Sequence, residues 1–349
     1  MQTIMLKDKD KHVLNLIVED YLRVGKPVSS GLIFQKKKVA DSPATLRNIM
    51  AKLEALGFLH QPHASAGRIP TDQGLRFYVN HLFETILHDG GQSSPFGDEL
   101  SGAKDDLDQL LGRASKILAE RSDNLGFVIS PRISRIPFRY LRFVKVGEDR
   151  VLVILVTTFN MALTEIVKTD VYFSQPDLDG ASEYINQNFR GKSLAVVRER
   201  LFRELPGYRR RYELIVNKLI SFLQGYFQHA EGDKEGRIFL QGTARLLDKP
   251  ELFDMERLKT LFQNFEERAK LANLLSEFIS LDRVKVLIGS ESNLPDIEDC
   301  SLILSHYGTR NQVLGSLGIL GPKRIPYERI IPLVDSIAKQ LSQTISHDT

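Results

Sequence analysis

The sequence is poor in cysteine and contains no long apolar run. Its 349 residues include one cysteine, Cys300, so an intrachain disulfide and a cysteine-rich zinc site are both excluded. No apolar stretch approaches the roughly 18 residues that a membrane-spanning helix needs. Residues 1–10 carry charges of both signs instead of the apolar segment of a secretory signal. These absences predict a protein of the reducing cytoplasm that has no contact with a membrane.

The motifs of common enzyme classes are also missing. The chain contains neither the phosphate-binding pattern GxxxxGK[ST] nor the zinc-protease pattern HExxH. Gly315, Gly318 and Gly321 are spaced three apart, but a proline follows and no helix opens there, which argues against dinucleotide binding. Cys300 stands inside a predicted strand, where a core position is expected. We therefore expect neither enzyme activity nor a cofactor.

The chain does have a globular composition, with its basic charge concentrated at one end. Hydrophobic residues make up 42% and charged residues 26%, which is compatible with two or three domains that each bury a core. Residues 1–80 hold 12 Lys and Arg against 7 Asp and Glu, a net +5, whereas the other 269 residues hold 35 against 37, a net −2. A basic block favours a polyanionic partner, although many solvated faces have the same composition.

The basic block is predicted to begin with three helices. The first covers Asp8–Val24, where apolar residues recur at helical spacing. A proline then interrupts the pattern, and either Ser29 or Ser30 can cap a short second helix. The third helix has the clearest start, because Ser42 is a favourable N-cap and Pro43 occupies the first helical position.

The third helix has two faces of opposite character. Apolar residues at positions 46, 49, 50, 53 and 56 form one stripe. The other side carries small or hydrogen-bonding side chains, namely Ala44, Thr45, Arg47, Asn48 and Lys52. In a helix that enters the major groove, small residues permit close approach, and Arg and Asn can bond to guanine and adenine. This face therefore predicts a recognition helix.

A two-stranded wing is predicted after the third helix. Short strands at 58–62 and 68–70 flank a flexible turn, and Thr71 can cap a fourth helix. The pattern over residues 1–87 is that of a winged helix-turn-helix, in which Arg68 can reach a phosphate or the minor groove. His63, Ser65 and Gly67 complete the expected DNA contacts. The alternatives are a protein-docking winged helix and, for His60 with His63, a metal pair, which we do not favour because no cysteine is nearby.

The remaining chain is predicted to form an interrupted α+β domain. Residues 88–104 are rich in Gly, Ser and Asp and read as a linker. Strands are expected before and after a long helical stretch, which indicates a domain with parts at 105–173 and 251–349 and an inserted, mainly helical domain at 174–250. Residues 151–156 are almost wholly apolar, which predicts a central strand with both faces covered.

The segment at 42–71, SPATLRNIMAKLEALGFLHQPHASAGRIPT, resembles the heat-inducible transcription repressor family HrcA. Three further segments are similar to stretches of that family: VEDYLRVGKPVSS at 18–30, VLIGSE at 286–291 and GSLGILGPKRIPYERII at 315–331. The resemblance therefore spans nearly the whole chain. Ile49, Lys52 and Ala64 depart from the family pattern, and the first two make the recognition helix more basic.

The resemblance implies a GAF-like α+β domain with an inserted dimerising domain behind the winged helix-turn-helix. It also implies a repressor that binds the inverted-repeat operator CIRCE on double-stranded DNA as a homodimer, upstream of chaperonin and DnaK-operon genes, with the chaperonin GroEL as the partner that keeps it active. The alternative is a ligand-sensing regulator in which Glu291, Arg310 and Arg324 line a pocket of the GAF-like domain. Plain surface positions fit these three charged residues as well and are favoured.

Overall fold

The computed structural model describes residues 6–37, 42–63, 66–86, 96–101, 107–131, 137–158, 162–169, 172–193, 196–197, 200, 238–247, 284–292, 298–309 and 312–347. Ser65, Arg310 and most of the predicted linker at 88–104 lie outside these ranges. The same is true of most of residues 194–283, which include much of the predicted inserted domain.

The N-terminal residues form three helices, a two-stranded antiparallel wing and a fourth helix, in the predicted order. The elements are α1 (Asp8–Val24), α2 (Ser30–Lys37), α3 (Pro43–Ala55), β1 (Leu59–His60), β2 (Ile69–Pro70) and α4 (Asp72–Ile86). The end of α1 is set by Gly25, whose φ of 73° is left-handed and whose N–H donates to the Tyr21 carbonyl at 2.8 Å. We call residues 6–86, for which the sequence predicts DNA binding, the DNA-binding unit.

The rest of the described chain is here called the body. Its elements are α5 (Gly97–Ser101), α6 (Leu107–Ser122), β3 (Leu125–Ile129), β4 (Phe138–Lys145), β5 (Arg150–Thr157), β6 (Ala162–Lys168), α7 (Gln175–Phe189), β7 (Ile238–Gln241), α8 (Thr243–Leu247), β8 (Lys285–Ile288), a 3₁₀ turn (Gly289–Ser292), β9 (Cys300–Thr309), β10 (Gln312–Pro322) and α9 (Tyr327–His347). The mixture of helices and sheets confirms the predicted α+β class.

The larger sheet of the body is antiparallel, with the strand order β7-β3-β10-β9-β8. Helices α6 and α9 pack on it, and a separate buried cluster that includes Phe127, Cys300 and Leu302 lies on its strands. The predicted core position of Cys300 is thus confirmed, since the residue is 4% exposed. Strands from both ends of the body share this sheet, as an interrupted domain requires.

The glycines of β10 have a packing role. A Cβ on Gly315 would lie 2.4 Å from the Tyr307 hydroxyl, and a Cβ on Gly318 would lie 2.7 Å from the Phe127 ring. Both aromatic rings are buried, and the Tyr307 hydroxyl donates to the Ile129 carbonyl at 2.7 Å. The glycine spacing therefore admits two large side chains across neighbouring strands.

Strands β4, β5 and β6 form a second, separate antiparallel sheet, and α7 packs on one of its faces. The division expected at 173/174 separates these strands from α7, whereas the structure joins them in one buried cluster. The prediction that both faces of residues 151–156 are covered is wrong. Only Val151, Val153 and Leu155 are buried, and the intervening Leu152, Ile154 and Val156 are partly exposed.

The DNA-binding unit and the body share one continuous hydrophobic core. This core runs from Leu14 and Ile17 in α1 through Val79 in α4 to Tyr327 and Val334 in α9. Helix α4 contacts both α9 and β8. In the ranges that the structure describes, no helix is long and apolar enough to cross a membrane.

Candidate nucleic-acid interface

The exposed face of α3 is the candidate DNA-reading surface. Ala44, Arg47, Asn48 and Lys52 are exposed and Thr45 is half-buried, whereas the opposite side of the helix buries Leu46, Met50 and Leu53. Positions 44, 47, 48 and 51 are spaced three and four apart, so they lie on one face. Among the residues described, the side chains of Arg47 and Asn48 have no hydrogen-bond or ion-pair partner. Both side chains are exposed to solvent, where a ligand can reach them.

Hydroxyl groups organise the beginnings of α2 and α3. The Ser42 hydroxyl accepts a hydrogen bond from the Thr45 N–H at 3.2 Å and lies 3.1 Å from the Thr45 hydroxyl. Ser29, rather than Ser30, caps α2, since its hydroxyl accepts from the Leu32 N–H at 3.2 Å. Each cap satisfies a backbone N–H group at the start of its helix, where the helix carries a partial positive charge.

Lys52 is held by the protein itself. Its ammonium group lies 2.5 Å from a carboxylate oxygen of Asp10, whose side chain is nearly buried in α1. A partly buried pair of this kind ties the end of α3 to α1. The ammonium charge of Lys52 is therefore largely balanced before any DNA is met.

Arg68 is likewise engaged inside the protein. Its Nε and Nη2 atoms both lie 2.9 Å from Glu54 Oε2, and its side chain is 15% exposed. The backbone of Arg68 exchanges two hydrogen bonds with Val28, each of 2.9 Å. Glu54 also accepts the Gln61 N–H at 3.1 Å. Arg68 thus joins the wing to α3 and to the segment before α2, instead of extending freely from the wing.

The wing turn is built by close backbone contacts. A Cβ on Gly67 would lie 2.4 Å from the Val28 carbonyl oxygen, so this position requires glycine. The Gln61 side chain donates to the Ala66 carbonyl at 2.9 Å, and the Ala66 N–H donates to the His63 carbonyl at 2.8 Å. The His63 side chain is exposed at the turn.

Sequence reasoning missed the carboxylates that restrain the basic residues. Asp10 and Glu54 belong to ordinary amphipathic helices, and no local motif marks them as partners of Lys52 and Arg68. The surface interpretation of Glu291 also needs correction, because that residue is ion-paired with α4 of the DNA-binding unit.

Arg324 lies at the same junction, where its guanidinium group occupies the space that a Cβ on Gly25 would need. Charged groups that meet across more than 200 residues leave no periodic signal in the sequence. In the described part of the chain, no group of three or more His, Cys, Asp or Glu is arranged to hold a metal ion.

The sequence is similar to curated repressors over almost its full length. It is 34% identical to the heat-inducible transcription repressor HrcA of Geobacter sulfurreducens, over 97% of this chain and 98% of that protein. It is 33% identical to the repressor of the same name from Xanthomonas campestris pv. campestris, over 97% and 96% of the two chains.

A family profile and a solved structure extend the comparison to the domain and fold levels. The profile described as HrcA protein C terminal domain matches residues 108–331. A crystal structure of a hypothetical protein, 24% identical, superposes with a TM-score of 0.66 over 99% of this chain and 100% of that chain. The last comparison shows a shared fold, and the first three show descent: the chain belongs to the HrcA family of heat-inducible transcription repressors.

Proposed function

We propose that the chain represses chaperone operons by binding a CIRCE-type inverted repeat on double-stranded DNA as a homodimer. The observation that carries the proposal is the exposed first half of α3, where the small Ala44 lies beside the exposed Arg47 and Asn48. This combination suits close approach to base edges in the major groove. Because family members are repressors, the proposal includes no catalytic step and no cofactor. It places the chain in the cytoplasm, where such operators are found.

The proposed contact set consists of groups at the starts of α2 and α3, along α3 and on the wing: Ser29, Ser30, Ser42, Ala44, Thr45, Arg47, Asn48, Lys52, His63, Ser65, Gly67 and Arg68. Within it, Arg47 and Asn48 are the base-reading pair. We assign Lys52 and Arg68 an indirect role, since Asp10 and Glu54 already balance their charges. The remaining groups position the unit on the phosphates.

The homodimer has a candidate surface on the outer face of the β4-β5-β6 sheet. Tyr140 is 42% exposed and Ile166 is 56% exposed, and strand alternation places both on the side opposite α7. Leu152 and Ile154 extend the same face. A second copy of the chain that covers these apolar side chains would bring two α3 helices to half-sites one helical turn apart, or a multiple of one turn.

The chaperonin step is part of the proposal because the family resemblance implies it. A folded, DNA-binding state that is more stable than the inactive states by only a few kcal/mol would suit a repressor that is kept active by a folding partner. During heat shock, unfolded proteins occupy GroEL, the repressor loses activity and transcription rises. Recovery of operator binding after heating, measured with and without GroEL, tests this step. Equal recovery in both samples would contradict it.

Operator binding is tested by fluorescence anisotropy at fixed salt, with a CIRCE-type repeat and a scrambled duplex of equal length. We expect the repeat to bind at least about a thousandfold more tightly. Arg47→Ala should reduce this preference by about 5- to 150-fold, the value of one bidentate base contact. Arg113→Ala, which removes an exposed arginine of α6 in the body, is the matched control and should leave it unchanged. Equal binding of both duplexes by folded wild-type protein would refute the repressor assignment.

A ligand-sensing regulator is the second candidate, and one cavity favours it. The cavity has a volume of about 300 Å³ and lies where α1 and α4 meet the start of α9. Apolar groups, the three carboxylates Glu19, Asp20 and Glu328 and one cationic side chain, Arg23, line it, and the apolar groups include Leu16, Ile33, Tyr78 and Tyr327. The carboxylates favour a cationic ligand with an apolar body. A rise in melting temperature with small organic amines would support the ligand-sensing regulator. A rise only with operator DNA would contradict it and support the repressor without a ligand.

A further inference from the structure

Two ion pairs join α4 of the DNA-binding unit to the body. In the first, Arg76 donates from Nε to Glu291 Oε1 at 2.7 Å and contacts the second carboxylate oxygen through Nη2. The same Nη2 donates to the Val286 carbonyl at 2.6 Å, and the Ile288 N–H donates to Glu291 at 2.9 Å. Each side chain is about a third exposed or less. Backbone groups of the body thus bond to both side chains of this bidentate ion pair.

The second pair lies one helical turn earlier on α4. Lys323 Nζ is 2.8 Å from Asp72 Oδ1 and 3.1 Å from Oδ2. Gly289 makes room for this pair, because a Cβ there would lie 2.3 Å from Asp72 Oδ2 and 2.8 Å from Lys323 Nζ. The φ of Gly289 is also left-handed, at 56°. We call the pairs Asp72–Lys323 and Arg76–Glu291 the α4 clamp.

The α4 clamp holds the base of the wing. Asp72 begins α4 only two residues after β2 ends at Pro70, so the pair at Asp72 directly follows the wing in the chain. Asp72 and Arg76 are four residues apart and share one face of the helix. Two directional contacts along one helix resist both sliding and rotation of α4, and so add to the restraint from the packed core.

We propose that the α4 clamp sets the orientation of α3 relative to the body and thereby selects the half-site spacing that the dimer accepts. Asp72, Arg76, Glu291 and Lys323 are positioning residues in this scheme, and none of them needs to touch DNA. The claim that the clamp selects half-site spacing, here the spacing half of the proposal, rests on the proposed function. The claim that the clamp sets the orientation of α3, here the orientation half, concerns the protein alone and is tested separately.

Orientation is measured on the full chain without DNA. Spin labels at Ala51→Cys in α3 and Lys339→Cys in α9 lie on exposed positions, and the native Cys300 is buried. Labelled protein is diluted into excess unlabelled protein, so that distances within one chain dominate. We expect one narrow distance distribution with an intact clamp and a clearly broader one in the double variant Asp72→Asn/Glu291→Gln. Equally narrow distributions would overturn the proposal.

Spacing is measured with inverted repeats whose central spacer is lengthened by half a helical turn. Wild-type protein should lose most of the gain from two-site binding, about 10²- to 10⁴-fold in affinity. The double variant should lose less than about tenfold in affinity when the spacer is lengthened, and its affinity for a single half-site should be unchanged. The charge-exchanged variant Asp72→Lys/Lys323→Asp keeps an ion pair at this position and should therefore retain the wild-type penalty. Glu84→Gln on the exposed side of α4 is the matched control.

Three results bear on the spacing half in different ways. A wild-type penalty retained by the double variant would overturn the clamp as the selector of spacing. Tighter binding of the optimal repeat by the double variant would overturn it too, since the clamp would then oppose DNA binding. Wild-type protein that does not distinguish a repeat from scrambled DNA would refute the proposed function and the spacing half with it, whereas the distance measurement would still decide the orientation half.

Discussion

Replacing Arg68 by alanine distinguishes a structural arginine from a phosphate contact. The Arg68 side chain is 15% exposed and its guanidinium group makes two contacts of 2.9 Å with Glu54. A partly buried, charge-assisted interaction of this kind contributes about 1.5–3 kcal/mol. Removing it should therefore loosen the wing, because among the described residues the Glu54 carboxylate then keeps only its bond from the Gln61 N–H.

The assay is amide hydrogen exchange at Val28 and Arg68, whose backbones bond to each other at 2.9 Å. Local opening that becomes easier by about 1.5–3 kcal/mol speeds exchange by about 10- to 150-fold. Because the wing is then poorly placed, Arg68→Ala should weaken binding to operator and to scrambled DNA by similar factors. Arg47→Ala is the control, and it should leave exchange at both amides unchanged.

The salt dependence of DNA binding can refute the indirect role that we assign to Arg68. An arginine that neutralises one phosphate contributes about one unit to the slope of log K against log salt. If Arg68→Ala lowered that slope by about one and left the amides of the wing protected, Arg68 would be a direct phosphate contact. The indirect role that we assign to it would then be wrong.

Three further predictions concern stability. Ser42→Ala should cost about 1 kcal/mol, seen in urea unfolding, by removing the cap on α3, and an unchanged urea midpoint would contradict the role of the cap. Tyr307→Phe should cost about 1–3 kcal/mol, because it leaves the buried Ile129 carbonyl without its 2.7 Å bond; a cost below 0.5 kcal/mol, by the same assay, would argue against it. Burial raises the pKa of Cys300 to about 12 from 9.0, so the folded chain retains this proton between those values and its stability should fall as pH rises through that window. Consistently, a thiol reagent at pH 8 should label Cys300 only after unfolding, and rapid labelling of folded protein would contradict the buried position.

The candidate DNA-reading helix was predictable because its signals are local. Ser42 and Pro43 mark the start of α3 within two positions, and the apolar stripe assigns the remaining side chains to two faces. The exposed positions of Arg47 and Asn48 follow directly from that stripe. Gly25 similarly marks the end of α1, since few other residues adopt a left-handed φ.

Features that depend on distant contacts were not predictable. Arg76 and Glu291 are 215 positions apart, and no periodicity connects them. The apolar run in β5 predicted a strand covered on both faces, but hydrophobicity does not reveal which sheet a strand joins or what packs on it. Alternate residues of β5 remain partly exposed because the strand lies in a separate sheet with α7 on one face.

The continuous core between the DNA-binding unit and the body has a consequence for modularity. A fragment that ends near residue 86 would keep all of α1 and α4 but would lose α9, including the fully buried Ile337 and Leu341 that belong to the same core. Apolar surface uncovered in this way promotes aggregation. The DNA-binding unit is therefore not an independently transferable module. Under the proposed role of α3, transferring its specificity to another protein means exchanging side chains on α3 and not grafting the whole unit.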